Sequence, residues 1–132
     1  MLAWRAGEWA YAVGWQAPER LARLYAEADI CAVTEVCDDP MGMISLEAMA
    51  AGRPVVASRL GSYQFSIQDG VTGFLVEPED VFGFAGRLTQ LLEDVELRTA
   101  MGRAGRQRAA QCDWQQIVAQ HYLPLLLGGI SK

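Results

Sequence analysis

The sequence predicts an α/β domain built on a parallel sheet, on three observations. Ile30 to Val33 is apolar residue after residue, and so is the pair Val55 and Val56 behind Pro54, as in strands covered on both faces. Stretches of helical periodicity separate these runs, and the connections between them are short. Strand, helix, strand, helix, strand in that order is half of a doubly wound fold, whose ligands bind beyond the carboxyl ends of the strands. We expect a partial Rossmann-like domain over residues 1 to 127, with a parallel sheet of about four strands, C-terminal helices, and a disordered tail over 128 to 132.

Each element has a local cause. WAYAVGW, residues 9 to 15, is aromatic and β-branched and ends at a turn glycine, which predicts a strand. Pro18 opens a helix, PERLARLYAEA, that buries Leu21, Leu24, Tyr25 and Ala28 along one face. DICAVTEV supplies the next strand and runs into a loop holding Asp38 and Asp39. Pro40 and Gly42 then make a tight turn, and Met43, Ile44, Leu46, Ala48, Met49, Ala50 and Ala51 form a helix that stops at Gly52 in the left-handed conformation. PVVAS is a second buried strand. FSIQ predicts a short helical turn, DGVTG a tight turn, and GFLVEP a last strand closed by Pro78. Beyond it Glu79 or Asp80 caps a helix with Val81, Phe84, Ala85, Leu88, Leu91 and Leu92 on one face. An arginine-rich helix follows from about Val95 to Ala110, and Asp113 caps a third, broken or kinked at Pro124.

The stretch from Asp39 to Gly52 carries the chemistry. A loop feeds a helix N-terminus, whose backbone N–H groups and positive dipole end suit a phosphate. Asp39 stands before the turn and Glu47 a little over one helical turn inside, so two carboxylates flank one anion-ready spot. Taken singly, Asp39 also reads as a turn or N-cap aspartate, Glu47 as a solvated helix glutamate and Gly42 as a turn glycine.

Composition excludes several functions. A net charge of -5 argues against a sequence-independent nucleic-acid binder. The cysteines, Cys31, Cys37 and Cys112, are scattered and odd in number, which reads as reduced thiols in a cytoplasmic protein, with no metal-binding set. No apolar run is long enough to span a membrane, which leaves peripheral membrane contact open.

LARLYAEADICAV, then DPMGMISLEAMAAGRPVVAS, then a glycine loop, then QDGVTGFLVEPED and LLEDVELR together resemble the C-terminal, donor-binding part of family 4 (group 1) retaining glycosyltransferases of the GT-B fold, from about Glu8 to Tyr122. That family's central motif is a glutamate, seven residues and a second glutamate; Asp39, one methylene shorter, stands in the first place and Glu47 in the second. The resemblance implies a donor site made by Asp39, Pro40, Met41, Gly42, Met43, Ile44 and Glu47. Asp39 would contact hydroxyls of the donor sugar, the N–H groups around Gly42, Met43 and Ile44 would face the sugar and diphosphate, and Glu47 would hold the ribose. The implied donor is a nucleoside-diphosphate sugar, with no separate cofactor and no metal. The implied reaction is transfer of a hexosyl unit to a glycan or lipid acceptor with retention.

After Gly61 the family commonly shows a second glycine, then proline and glutamate, where this chain has Ser62, Gln64 and Phe65. The N-terminal acceptor domain of the family, and the strands bearing the basic pair that neutralises the leaving diphosphate, have no counterpart here, so the isolated chain is expected to turn over little or nothing and no residue is assigned as catalytic. Removal of those strands would also leave an apolar sheet edge open to pairing with a second copy. A non-catalytic association or ligand-binding module derived from such an enzyme is the alternative class. His121 reads as a packed helix residue, and Arg98, Arg103, Arg106 and Arg108 as a solvated face paired with Glu93, Asp94 and Glu96. Trp4, Trp9 and Trp15 read as packing on the first strand or as lying exposed.

Overall fold

The computed structural model describes residues 13–37 and 42–128. Strands β1 (Cys31–Val33), β2 (Val55–Ser58) and β3 (Gly73–Val76) lie parallel and side by side in chain order. Cys31 stands opposite Val55, and Val55 opposite Gly73. Every residue of β2 and β3 is buried, as consecutive apolar residues require when both faces of a sheet are covered.

The pleat of β2 splits the core in two. On one face Val55 and Ala57, with Val33 and Leu75, meet Ala48 and Met49 of α2 (Met43–Ala50) and Tyr63 of α3 (Tyr63–Ser66). On the other, Val56 with Phe74 and Val76 meets Leu91 of α4 (Val81–Glu93) and Met101 of α5 (Val95–Gln111). Helix α1 (Pro18–Glu27) starts at its proline, as expected, and packs on α2 with no fully buried residue. Gly52 ends α2 at a φ of 75°, its N–H returning to the Met49 carbonyl at 2.8 Å. Asp80 accepts from the Gly83 N–H, Asp94 from Leu97, and Asp113 from Gln115 and Gln116, so three of the late helices have side-chain caps.

Several expectations change. The strand expected over 9–15 lies outside the described residues as far as residue 12, and Val13, Gly14 and Trp15 are not in a strand. The described sheet therefore has three strands rather than about four. The expected open edge turns on residues 9–13, and Trp4, Trp9 and the tail from residue 129 also lie outside the described residues; Gly128 still belongs to a helix. The turn expected at FSIQ forms at Tyr63–Ser66, because Ile67 is already extended and the Gln68 N–H is taken by the Thr72 hydroxyl at 2.9 Å. On α4 the buried face is Phe84, Leu88 and Leu91; Val81 and Leu92 are 72% and 59% exposed, one at the helix end and the other a further 100° round from Leu91. His121 is exposed rather than packed. Chain continues from α6 (Trp114–Ile117) through a π-helical stretch, Val118–Tyr122, into α7 (Leu123–Gly128). The widened turn sits where Pro124 has no N–H for the carbonyl one turn back.

The arginines of α5 also differ from their expected role. Arg98 donates to the Leu91 and Leu92 carbonyls at 2.9 and 3.1 Å, Arg106 to Ala50 at 3.2 Å, and Arg108 to Ser66 and Phe65 at 2.8 and 2.6 Å. These are the last carbonyls of α4, α2 and α3, which have no partner inside their own helices. Guanidinium groups at three helix C-termini complement both the orphan acceptors and the negative dipole ends. Asp29, not the acids of α4 and α5, pairs with Arg98, at 3.7 Å.

Candidate functional site

Helix α2 is set at its start by Gly42, the N-cap, at φ 50° and ψ 28°. A Cβ there would sit 2.2 Å from the Ser62 hydroxyl oxygen, which can rotate away, and 3.1 Å from the Ser62 Cβ, so it is the left-handed backbone that asks for glycine. The neighbour packed against it is Ser62 of the chain's own Gly61–Ser62 turn. Ser45, buried in the first turn of α2, donates to the Gly42 carbonyl at 2.7 Å and lies 2.8 Å from the Ser66 hydroxyl, which bolts the helix start to α3. Met43 and Ile44 are 47% and 36% exposed on the same turn.

Glu47 stands one turn further on, exposed, with its Oε2 accepting from the Tyr25 hydroxyl of α1 at 3.1 Å. It lines two adjoining clefts. One, of about 490 Å³ between α1 and α2, is walled by Leu21, Tyr25, Ala50 and Arg106; the other, of about 380 Å³ between α2 and the end of α5, by Met43, Leu46, Arg106 and Asp113. A third cleft, of about 320 Å³, opens at the carboxyl ends of the strands and is lined by Thr34, Glu35, Ser58, Glu77 and Phe84. Neither Gly42 nor Glu47 borders it. Thus Gly42, Met43, Ile44 and Glu47 come together on α2, while Asp39, Pro40 and Met41 lie outside the described residues.

Burial, then the Glu47 carboxylate, pushes the Tyr25 phenol well above its ordinary range, so it stays a hydrogen-bond donor. Burial, then Glu47, likewise pushes the Cys31 thiol up to about 11. Only the thiolate is alkylated, and two pH units of displacement leave about a hundredfold less of it at neutral pH. Iodoacetamide at pH 8 should therefore label exposed Cys37 and Cys112 well before Cys31, with the Cys31 rate climbing toward pH 11; equal labelling by peptide mapping would contradict this. Because the folded value lies above the unfolded one near 9, the neutral thiol's contribution to stability is fully present below pH 9 and is lost as pH rises toward about 11.

Sequence reasoning missed Tyr25, Ser45, Ser62 and Arg106. Ser45 had a signal, a hydroxyl in a first helical turn, where such groups bond local carbonyls. Tyr25 was assigned to a packed face, yet its hydroxyl had to find a partner. Ser62 stood out only as a departure from the family's second glycine, and Arg106 only as one of a solvated arginine series; their contacts with α2 come from distant chain, and nothing local announced them. Among the described residues no group of three or more acids, histidines or cysteines could hold a metal ion, and no helix is long and apolar enough to cross a membrane.

The model of the family described as "Glycosyl transferases group 1" matches residues 8–108. D-inositol 3-phosphate glycosyltransferase of Corynebacterium urealyticum is 38% identical over 103 residues, which are 78% of this chain and 24% of that protein. Sucrose-phosphate synthase from Thermosynechococcus elongatus superposes with a TM-score of 0.73 at 35% identity, over 83% of this chain and 28% of that one. HepE of Anabaena, in complex with UDP-glucose, superposes with a TM-score of 0.69 at 25% identity, over 82% of this chain and 29% of that one. The chain spans about a quarter of the length of the relative it matches.

Proposed function

The chain belongs to the group 1 glycosyl transferase family, with a parallel-stranded α/β fold like that of GT-B glycosyltransferases, and from that premise we propose that it is the nucleotide-sugar-binding part of a retaining, family 4 transferase. The observation that carries the reading is the shared fold with Anabaena HepE, a protein solved with UDP-glucose, combined with a helix start held by Gly42 and an exposed carboxylate at Glu47 one turn inside. In this reading the nucleoside-diphosphate sugar approaches the N-terminus of α2. Backbone N–H groups at Gly42, Met43 and Ile44 face the sugar and diphosphate, Asp39 contacts hydroxyls of the donor sugar with Pro40 and Met41 part of the same donor site, and Glu47 accepts hydrogen bonds from the ribose hydroxyls.

A carboxylate suits that last task because one group can accept from both hydroxyls of a vicinal diol. The hexosyl transfer to a glycan or lipid acceptor is proposed for an enzyme of the relatives' full length, in which an N-terminal domain supplies the acceptor site; residues 1–127 would be its donor-side unit, acting in the cytoplasm without a cofactor.

Calorimetric titration of the chain with UDP-glucose, UDP and glucose, backed by thermal unfolding, tests the binding step. Expected is saturable binding of UDP-glucose and UDP, little of glucose alone, and a melting temperature that rises with ligand; occupancy at a hundred times Kd stabilises by about 2.7 kcal/mol. No heat and no thermal shift with millimolar UDP-glucose or UDP would overturn the reading.

A further inference from the structure

We infer that Tyr25 is a positioning residue for the donor site, its phenol holding the Glu47 carboxylate in the orientation that meets a ligand's diol. The inference rests on the proposed binding role of Glu47. Its own ground is geometric. Tyr25 and Glu47 are 22 residues apart, on different helices, and their side chains meet at 3.1 Å between Oη and Oε2. Both line the cleft of about 490 Å³ between α1 and α2, so the contact sits in the wall of an open site.

A glutamate on an exposed helical turn has three freely rotating side-chain bonds, and binding a diol with it costs the entropy of stopping them. A phenol fixed on a neighbouring helix meets part of that cost in advance. Tyrosine suits the task because it is rigid beyond two torsions and because its hydroxyl here can act only as a donor toward a carboxylate, which accepts and never donates when ionised. One phenol occupies one lone-pair position on Oε2, so the carboxylate keeps the capacity to accept from two further hydroxyls. The upward displacement of the phenol's ionisation fits the same picture, since loss of that proton would set two negative oxygens against each other.

A double-mutant cycle tests this, using Tyr25→Phe, Glu47→Gln and the pair, each titrated with UDP-glucose and followed by thermal unfolding. Tyr25→Phe should weaken UDP-glucose binding about three- to tenfold with little change in melting temperature, because the ring and its packing remain. Added to Glu47→Gln it should cost much less than it does alone, since the phenol's bond to a neutral amide lacks the charge assistance it has to the carboxylate and holds the group less firmly. A second readout needs no ligand: in a spectrophotometric titration of the tyrosines, the phenol whose signal disappears in Tyr25→Phe should ionise at lower pH in Glu47→Gln.

Wild-type affinity in Tyr25→Phe, or full multiplication of the two effects, overturns the inference while leaving the role of Glu47 intact. A melting temperature lowered by Tyr25→Phe with affinity unchanged assigns the phenol to packing alone and overturns it too. If Glu47→Gln itself binds UDP-glucose as the wild type does, the reading beneath the inference fails, and the inference with it.

Discussion

Gly102→Ala should unfold at a markedly lower temperature than the wild type, although alanine is the better helix former. Gly102 lies inside α5, where the exchange alone would add about 1 kcal/mol of helical stability. Against that, a Cβ at this position would stand 2.2 Å from the Gly52 carbonyl oxygen, and backbone cannot swing aside as a side-chain end can. Three residues on, Gly105 leaves only 3.0 Å between its own would-be Cβ and Met49 Cγ, so α5 lies almost backbone to backbone on the end of α2. Relief requires the two helices to part, opening the contact of α5 with buried Met49. Overpacking of this kind costs about 1–3 kcal/mol or more, and the clash with main chain places this case at the upper end. Less the helical gain, we expect a net loss of about 2 kcal/mol, or roughly 5–10 °C in melting temperature. The control is Gly86→Ala on α4, where a Cβ would meet nothing within 4 Å; it should hold or raise the melting temperature. If both variants behave alike, the close approach of α5 to α2 is not what stabilises this face.

The contrast between those two glycines marks what the sequence could reveal. Both are small residues in helical stretches, and nothing local separates them. What separates them is a crossing with chain fifty residues away. Wherever the signal was local it was readable: Pro18 opens α1, Gly52 closes α2, and Asp80 and Asp113 cap the helices that follow them. Consecutive valines announced a strand buried on both faces, and β2 is one. The arginines of α5 show the reverse. Their spacing beside acids suggested pairing along one helix, but Arg106 reaches Ala50 and Arg108 reaches Ser66, because tertiary packing brings helix C-termini, with their unpaired carbonyls, within range. At the candidate site the same division holds. Gly42 and Glu47 could be placed on one helix from the chain itself, whereas the Tyr25 partner and the Ser62 contact exist only once α1 and α3 have docked.

Glu47→Gln should weaken UDP-glucose binding by about ten- to a hundredfold while leaving the fold intact. Glu47 is exposed and meets Tyr25 through one oxygen, so an amide of nearly the same shape can keep its place and still accept from Tyr25. The loss expected at the ligand has two parts. A carboxylate accepts through both oxygens, whereas an amide offers one acceptor and turns a donor toward a hydroxyl. The hydrogen bonds that survive also lose their charge assistance, which is about half their strength. Together these are worth about 1.4–2.8 kcal/mol, the energy of one to two decades in Kd. Free glucose has no ribose, so its weak binding should not respond; UDP alone should lose as much as UDP-glucose, because the ribose is common to both. A variant that loses affinity for UDP-glucose but not for UDP would move Glu47 from the ribose to the transferred sugar, and the orientation of the donor along α2 would have to be reversed.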